Sequence, residues 1–130
     1  MEETIRELLA LEGGSWQVSR VADDTVRVRV VSAPGADLVV ELEIDVHLDP
    51  SLRQYGFTSR LHESDGPSSA QQTHRGRLRY RAAGVSFSLD GMAAYEFDSD
   101  LVFDRIEQRL QALEWQPRPG FWDRLLGRAR

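Results

Sequence analysis

Apolar and polar residues alternate through most of the middle of the chain, and this period of two predicts an antiparallel β-sheet. The clearest alternation covers residues 37–48, where apolar side chains recur from Leu38 to Leu48 and mostly acidic residues lie between them. Weaker or shorter alternation covers residues 15–21, 25–31, 53–61, 75–82, 85–90 and 92–97. Turn residues separate most of these segments, so we expect about six strands joined as consecutive hairpins.

A helical period of apolar residues appears at both ends of the strand region and predicts two helices. Residues 2–12 form an amphipathic segment that ends at the glycine pair 13–14. Residues 98–116 form a longer one, which begins with three residues, 98–100, that are suited to N-capping. Its apolar stripe consists of Val102, Phe103, Ile106, Leu110 and Leu113.

These elements together predict an α+β fold with an N-terminal helix, an antiparallel sheet and a long C-terminal helix packed on the sheet. One sheet face is apolar and needs the amphipathic helices as a cover. We expect a single domain over residues 1–116. Within it, residues 62–74 are rich in Gly, Pro, Ser and Gln, which predicts a mobile loop. Residues 117–130 form a Pro/Gly hinge and a short amphipathic tail helix.

Composition excludes several classes of chemistry. The chain has no cysteine, which rules out thiol catalysis and cysteine-ligated zinc, and all 16 of its basic residues are Arg. Without Lys there is no Walker A loop and no Schiff-base lysine. The net charge of −5 argues against nucleic-acid binding. No apolar run approaches the ~18–20 residues that a membrane span needs, and the acidic start is unlike a secretory signal, so we predict a cytoplasmic location.

Arginine recurs at every second position in the segment RGRLRYR, at Arg75, Arg77, Arg79 and Arg81. On a strand, these four side chains share one face. One interpretation is structural, because Glu41, Glu43 and Asp45 on the acidic strand offer cross-strand partners to them and to Arg27 and Arg29. A second interpretation is an anion-binding face, since guanidinium groups suit phosphate and carboxylate. A third is a contact with another protein.

Candidate catalytic and metal-binding residues are sparse. His47 lies on the same strand face as Asp45 and Glu43, and His62 and His74 flank the predicted loop. Alternate residues of a strand lie ~7 Å apart, however, which is too far to share one ion without help from other elements. No nucleophile, metalloprotease or calcium-loop motif is present. We therefore predict no catalytic residue, no metal site, no cofactor and no enzymatic activity.

The tail after the Pro-rich hinge is the most suggestive binding element. Its bulky apolar residues share one helical face, and arginines occupy much of the remainder; the candidate contacts are Phe121, Trp122, Arg124, Leu125, Leu126 and Arg128. Such a helix suits a partner's groove or a homodimer interface, or packs on its own domain. In composition, it also resembles the amphipathic membrane-targeting tails of some bacterial peripheral proteins, which implies a peripheral membrane contact.

Two further functions stay open. The order helix, antiparallel strands, helix resembles, at the level of fold, bacterial secretion-chaperone-like domains, and this implies a dimeric clamp on other proteins. A curved sheet closed by a helix also encloses a cavity in some proteins, which here implies binding of a small molecule or lipid. The candidate lining residues are Trp16, Tyr55, Phe57, Tyr80, Phe87 and Tyr95. Our leading prediction is a non-enzymatic adaptor that binds a protein partner or a second copy of itself.

Overall fold

The computed structural model describes residues 1–32, 38–65, 68–88 and 91–119, with the side chains of all except 32, 38, 65, 68, 81–88 and 91–97. The elements are α1 (Glu2–Leu9), β1 (Trp16–Ala22), β2 (Thr25–Ser32), β3 (Leu38–Asp49), β4 (Gln54–Asp65), β5 (Ser68–Arg75), β6 (Arg81–Ser88), β7 (Gly91–Asp98), α2 (Ser99–Ala112) and β8 (Gln116–Pro117). This order of helix, strands and helix confirms the predicted α+β fold. The predicted tail helix lies outside the described residues.

The main sheet is a meander in which strands β1 to β5 follow one another as antiparallel neighbours. The two-residue strand β8 adds to it by pairing in parallel with the start of β4. In the described part of the chain, strands β6 and β7 pair only with each other and form a separate hairpin. Consecutive hairpins, as the turn spacing predicts, thus account for all the antiparallel pairs of the described strands.

The core lies between the apolar face of the meander and the two helices. Alternate residues of β2 and β3, such as Val28 and Ile44, are fully buried on this face. Helix α1 contributes Leu8, and α2 contributes the predicted stripe, from which Val102, Phe103, Ile106 and Leu110 are buried. Neither described helix has the length and apolar character of a membrane span.

Both helices end earlier than their apolar pattern predicts. Helix α1 stops at Leu9 and α2 at Ala112. Beyond α2, Glu114 adopts a positive φ of 67°, which reverses the chain and returns Trp115 to the core. At the other end of α2, Asp98 accepts a hydrogen bond from the Asp100 backbone N–H at 2.9 Å, which confirms the N-cap.

The prediction of a mobile loop is wrong for residues 62–65 and 68–74, the part of the segment 62–74 that the structure describes. Strand β4 continues to Asp65, and β5 pairs with it in unbroken register from Asp65↔Ser68 to Thr58↔Arg75. The segment carries almost no apolar residue because β5 extends past the core, and each of its described side chains, from 69 to 75, is exposed. Backbone pairing, rather than burial, therefore holds this strand in place.

Candidate functional site

The polar face of the sheet is a network of ion pairs. Arg27 on β2 donates from Nε and Nη2 to Asp45 on β3, at 2.8 and 3.2 Å. From the other side, Arg60 on β4 donates to Glu43 and lies 3.5 Å from Asp45. Asp45 is only 8% exposed as a result. The side-chain hydrogen bond to Asp45 raises the pKa of Arg27, against the opposing effect of burial.

A second pair continues this network towards one end of the sheet. Arg29 donates to Glu41 at 2.5 Å, and this hydrogen bond raises the pKa of the guanidinium. The expected cross-strand pairing of Arg27 and Arg29 with the acidic strand is therefore confirmed. Arg60 is a partner that sequence reasoning missed, although its position in the predicted fourth strand could have suggested it. The charges on this face neutralise one another, as the structural interpretation expects of cross-strand pairs.

Two of the three histidines, His47 and His62, lie on this face of the sheet. His47 Nε2 lies 2.9 Å from the Thr58 hydroxyl, and its Nδ1 lies 3.5 Å from the Thr25 hydroxyl. His62 and His74 are exposed. Among the residues that the structure describes, no group of three or more His, Asp and Glu side chains is placed to hold a metal ion.

The predicted arginine strand over residues 75–82 is wrong. Strand β5 ends at Arg75, and Gly76 turns the chain with a φ of +95°, a conformation that favours glycine. Residues 77–80 belong to no strand, and β6 begins only at Arg81. This segment leaves the sheet because Leu78 enters the core, where it is 5% exposed.

Each arginine of this segment consequently has its own environment. Arg77 binds three carboxylates of α2, with distances of 3.3 Å to Asp100, 3.0 Å to Asp104 and 2.9 Å to Glu107. Its guanidinium carbon also lies 5.2 Å from the centre of the Phe103 ring. Burial lowers the pKa of Arg77, but the carboxylates, Asp104 first, outweigh it and raise the pKa overall. Arg77 therefore clamps its segment to the helix.

The described side chains of Arg75, Arg77 and Arg79 do not form one shared anion site. Arg75 is exposed at the end of β5, and the Arg81 side chain lies outside the described residues. Arg79 is exposed beside a groove of about 420 Å³ that is lined by Arg77, Arg79, Asp100 and Asp104. This groove mixes both signs of charge, which does not favour an anion. Anion binding by individual arginines stays a prediction.

The aromatic residues proposed for a ligand cavity pack as core where the structure describes them. The Phe57 ring lies 5.5 Å from the Tyr55 ring and 5.2 Å from the Phe103 ring, in tilted and edge-to-face contacts. Trp16 and Tyr80 are half-buried against the same core. The side chains of Phe87 and Tyr95 lie outside the described residues.

Strand β5 is the most distinctive surface of the described chain, because it forms an open edge of the sheet. Within the described residues, it pairs with β4 alone. The Gly76 N–H donates to the Phe57 carbonyl. Because backbone groups alternate in direction along a strand, the N–H and C=O groups of the even-numbered residues of β5 point towards β4. The backbone groups of residues 69, 71, 73 and 75 therefore point outwards along the edge. We call these four residues, with their outward N–H and C=O groups, the β5 edge.

The opposite edge of the sheet differs because features that discourage strand addition are built into it. Strand β1 has a register shift between Arg20 and Ala22. There, the Arg20 guanidinium donates hydrogen bonds to the carbonyls of Ala22 and Asp23, at 3.2 and 2.7 Å. It also forms an ion pair with Glu2. The β5 edge has no bulge in its register with β4 and no proline. Sequence reasoning missed the β5 edge because its residues carry no apolar alternation.

The described chain is an α+β protein with a five-strand meander, in which the β5 edge carries unpaired backbone groups. Comparison with known proteins adds no assignment to this class. No protein family, no curated protein and no solved structure matches the chain. The predicted partner-binding residues of the tail, from Phe121 to Arg128, lie outside the described residues, so binding through them stays a prediction from sequence.

Proposed function

We propose that this chain is a non-enzymatic protein-binding module that takes up an extended segment of another polypeptide at the β5 edge. Four outward residues offer N–H and C=O groups in one row, which is what the addition of a β-strand requires. The single observation that carries the proposal is the contrast between this open edge and the bulged, Arg20-covered edge of β1.

The exposed side chains around the edge favour binding over catalysis. Ser69, Gln71 and Thr73 alternate on the polar face, and their hydroxyl and amide groups have no role in the ion-pair network beside them. Such groups tolerate varied neighbours on an added strand, while backbone hydrogen bonds supply the affinity. An adaptor role and a cytoplasmic location remain part of this proposal.

A random peptide library tests the proposal and does not require that the natural partner be identified. Random decapeptides are displayed and selected on the sparsely immobilised full chain, and bound peptides are then measured against two variants. Thr73→Pro removes one outward N–H, whereas Thr73→Val keeps that N–H and changes only the side chain. We expect binding to weaken at least ~10-fold with Thr73→Pro and to change little with Thr73→Val.

Hydrogen exchange locates the bound peptide independently of the variants. Slowed exchange at residues 69–75 on peptide binding supports the proposal. Peptides that bind Thr73→Pro as tightly as the unmodified chain, or that protect another part of the sheet, would show that the edge is not the site. Thermal unfolding of both variants checks that each is folded.

A further inference from the structure

We infer that the segment taken up at the β5 edge is strand β5 of a second copy of this chain, so that two meanders join into one continuous sheet. This inference rests on the proposed strand-binding function and names the occupant of the site. The argument starts from the geometry of the edge. An antiparallel partner pairs its own outward residues with residues 69, 71, 73 and 75.

The longest self-pairing register places Gln72 opposite Gln72 of the other copy, on a two-fold axis. Ser69 then faces Arg75 of the other copy and Gln71 faces Thr73, and the same pairs recur on the other side of the axis. All four outward residues of each copy take part, which forms about eight backbone hydrogen bonds. A symmetric contact of this kind is isologous, the commonest arrangement in homodimers.

The charge pattern of β5 favours its own copy as the occupant. The chain has a net charge of −5, yet β5 carries one formal charge at neutral pH, on Arg75. In the proposed register, this charge faces Ser69 rather than its own equivalent, so no like charges oppose one another. On β3, Arg27, Arg29 and Arg60 already pair with Asp45, Glu41 and Glu43. On β4, beside β5, Glu63 accepts a hydrogen bond from the Tyr80 hydroxyl.

The polarity of β5 also favours a second copy of this chain as the occupant of the edge. Its side chains are polar on both faces, with Ala70 as its one apolar residue, and those from 69 to 75 are exposed. An added strand with an apolar face would leave that face in water, because the core does not extend to β5. A second β5 has no apolar face to bury, and its Gln72 amide meets an identical amide across the axis.

Sedimentation of the full chain over a range of concentrations tests self-pairing directly. We expect the unmodified protein and Thr73→Val to reach twice the chain mass of 14.8 kDa. Thr73→Pro should remain at the single-chain mass while keeping its thermal unfolding transition. A single-chain mass for the unmodified protein at every concentration, or a dimer that Thr73→Pro leaves intact, overturns the inference.

Cysteine cross-linking tests the register, since the chain has no native cysteine. On the two-fold axis, the Cα atoms of the two Gln72 residues lie about 4.5 Å apart, within disulfide range. Gln71 faces Thr73 of the other copy, so the two Gln71 Cα atoms lie about 8–9 Å apart, beyond that range. Gln72→Cys should therefore form a linked dimer on mild oxidation, and Gln71→Cys should not; the reverse result overturns this register.

The two proposals fail in different ways. A monomeric protein whose β5 edge still binds selected decapeptides would show that self-pairing is wrong while strand addition stands. A protein that neither dimerises nor binds any extended peptide at residues 69–75 would overturn both. Release of the dimer by a selected decapeptide would support both, because the peptide and the second copy would then compete for one edge.

Discussion

The indole N–H of Trp115 donates a hydrogen bond to the hydroxyl of Thr4 at 2.9 Å, across 111 positions of the chain. Both side chains are buried, at 1% and 3% exposure. Trp115 follows the reversal at Glu114, so this bond fixes the end of α2 against α1. A buried indole N–H needs a partner, and the bond thereby selects one packing of the two ends of the domain.

Replacement of Thr4 by valine should destabilise the fold, because it removes the hydroxyl and keeps the volume. The Trp115 N–H then stays buried without an acceptor, at a cost of about 1–3 kcal/mol in the free energy of unfolding. Urea denaturation measures the change. Thr4→Ser, which retains the hydroxyl, is the matched control, and its free energy of unfolding should fall less. An equal fall in the two variants would show that the hydrogen bond contributes little.

Replacement of Arg77 by methionine should also destabilise the protein and loosen the segment 77–80. The variant keeps an apolar stem over Phe103 but leaves Asp100, Asp104 and Glu107 without their shared cation. Hydrogen bonds to charged groups and repulsion between carboxylates one turn apart suggest a loss of about 1–3 kcal/mol. The measurement is urea denaturation, combined with hydrogen exchange at Leu78 and Tyr80.

Arg77→Lys serves as the control for this prediction. It retains the charge but lacks the planar fork that reaches three carboxylates at once. We expect its free energy of unfolding to lie between those of the unmodified protein and Arg77→Met. A lysine variant as unstable as the methionine variant would show that geometry, rather than charge, holds the clamp.

The apolar alternation predicted the main strands and the helices because it reports burial. It was most informative for β3, where each even-numbered residue from Val40 to Leu48 is buried. It carried no information about β5, since that strand lies beyond the core and is held by backbone pairing with β4. A pattern of side chains cannot reveal an element whose described side chains are all exposed.

The segment of alternating arginines, residues 75–81, shows a different limit of prediction from local sequence patterns. Its alternation is that of a strand, but a positive φ at Gly76 and the burial of Leu78 remove it from the sheet. Arg77 then meets carboxylates that are spaced along one face of a helix. This constellation depends on the docking of α2, so no local spacing in the sequence of either segment could predict it. Apart from the missing apolar alternation of β5, the openness of its edge could not be predicted either, because it is a property of the assembled sheet.

Arg27 and Asp45 should show a favourable coupling in a double-mutant cycle. Asp45 is held by Arg27 and Arg60 and is largely shielded from water, so the interaction is screened less than an ordinary surface pair. With Arg27→Met and Asp45→Asn, we expect a coupling of about 1 kcal/mol from urea denaturation. The matched cycle for the more exposed pair Arg29 and Glu41 should give a weaker coupling, and a stronger one there would contradict this ranking.

Asp49 should stabilise the turn after β3 in a pH-dependent way. Its Oδ1 accepts hydrogen bonds from the Ser51 hydroxyl and backbone N–H, at 3.0 and 3.1 Å, and from the Leu52 N–H at 3.3 Å. The Ser51 hydroxyl, followed by the two backbone N–H groups, lowers the pKa of Asp49. Ionised Asp49 therefore contributes stability above its unfolded pKa of about 4, and this contribution is lost as the pH falls through the folded value.

The comparison of melting temperatures between the unmodified protein and Asp49→Asn isolates this contribution. The difference between them should be largest near neutral pH and should shrink once the pH falls below about 4. Other carboxylates titrate in the same range, but they are common to both proteins. A difference that stays constant down to low pH would show that the charge of Asp49 is not involved.

Tyr55 should resist ionisation until strongly alkaline pH. Burial is the main reason, and together with the nearby Glu107 carboxylate it raises the pKa to about 12, although the hydrogen bond from Gln111 acts in the other direction. Because the folded pKa is raised, neutral Tyr55 contributes stability that is fully present below about pH 10 and is lost as the pH rises through about 12. An ultraviolet titration of phenolate should therefore show a late phase that is absent in Tyr55→Phe. The appearance of all phenolate signal near pH 10, in a protein whose circular dichroism is still native, would contradict the burial of this hydroxyl beside Glu107.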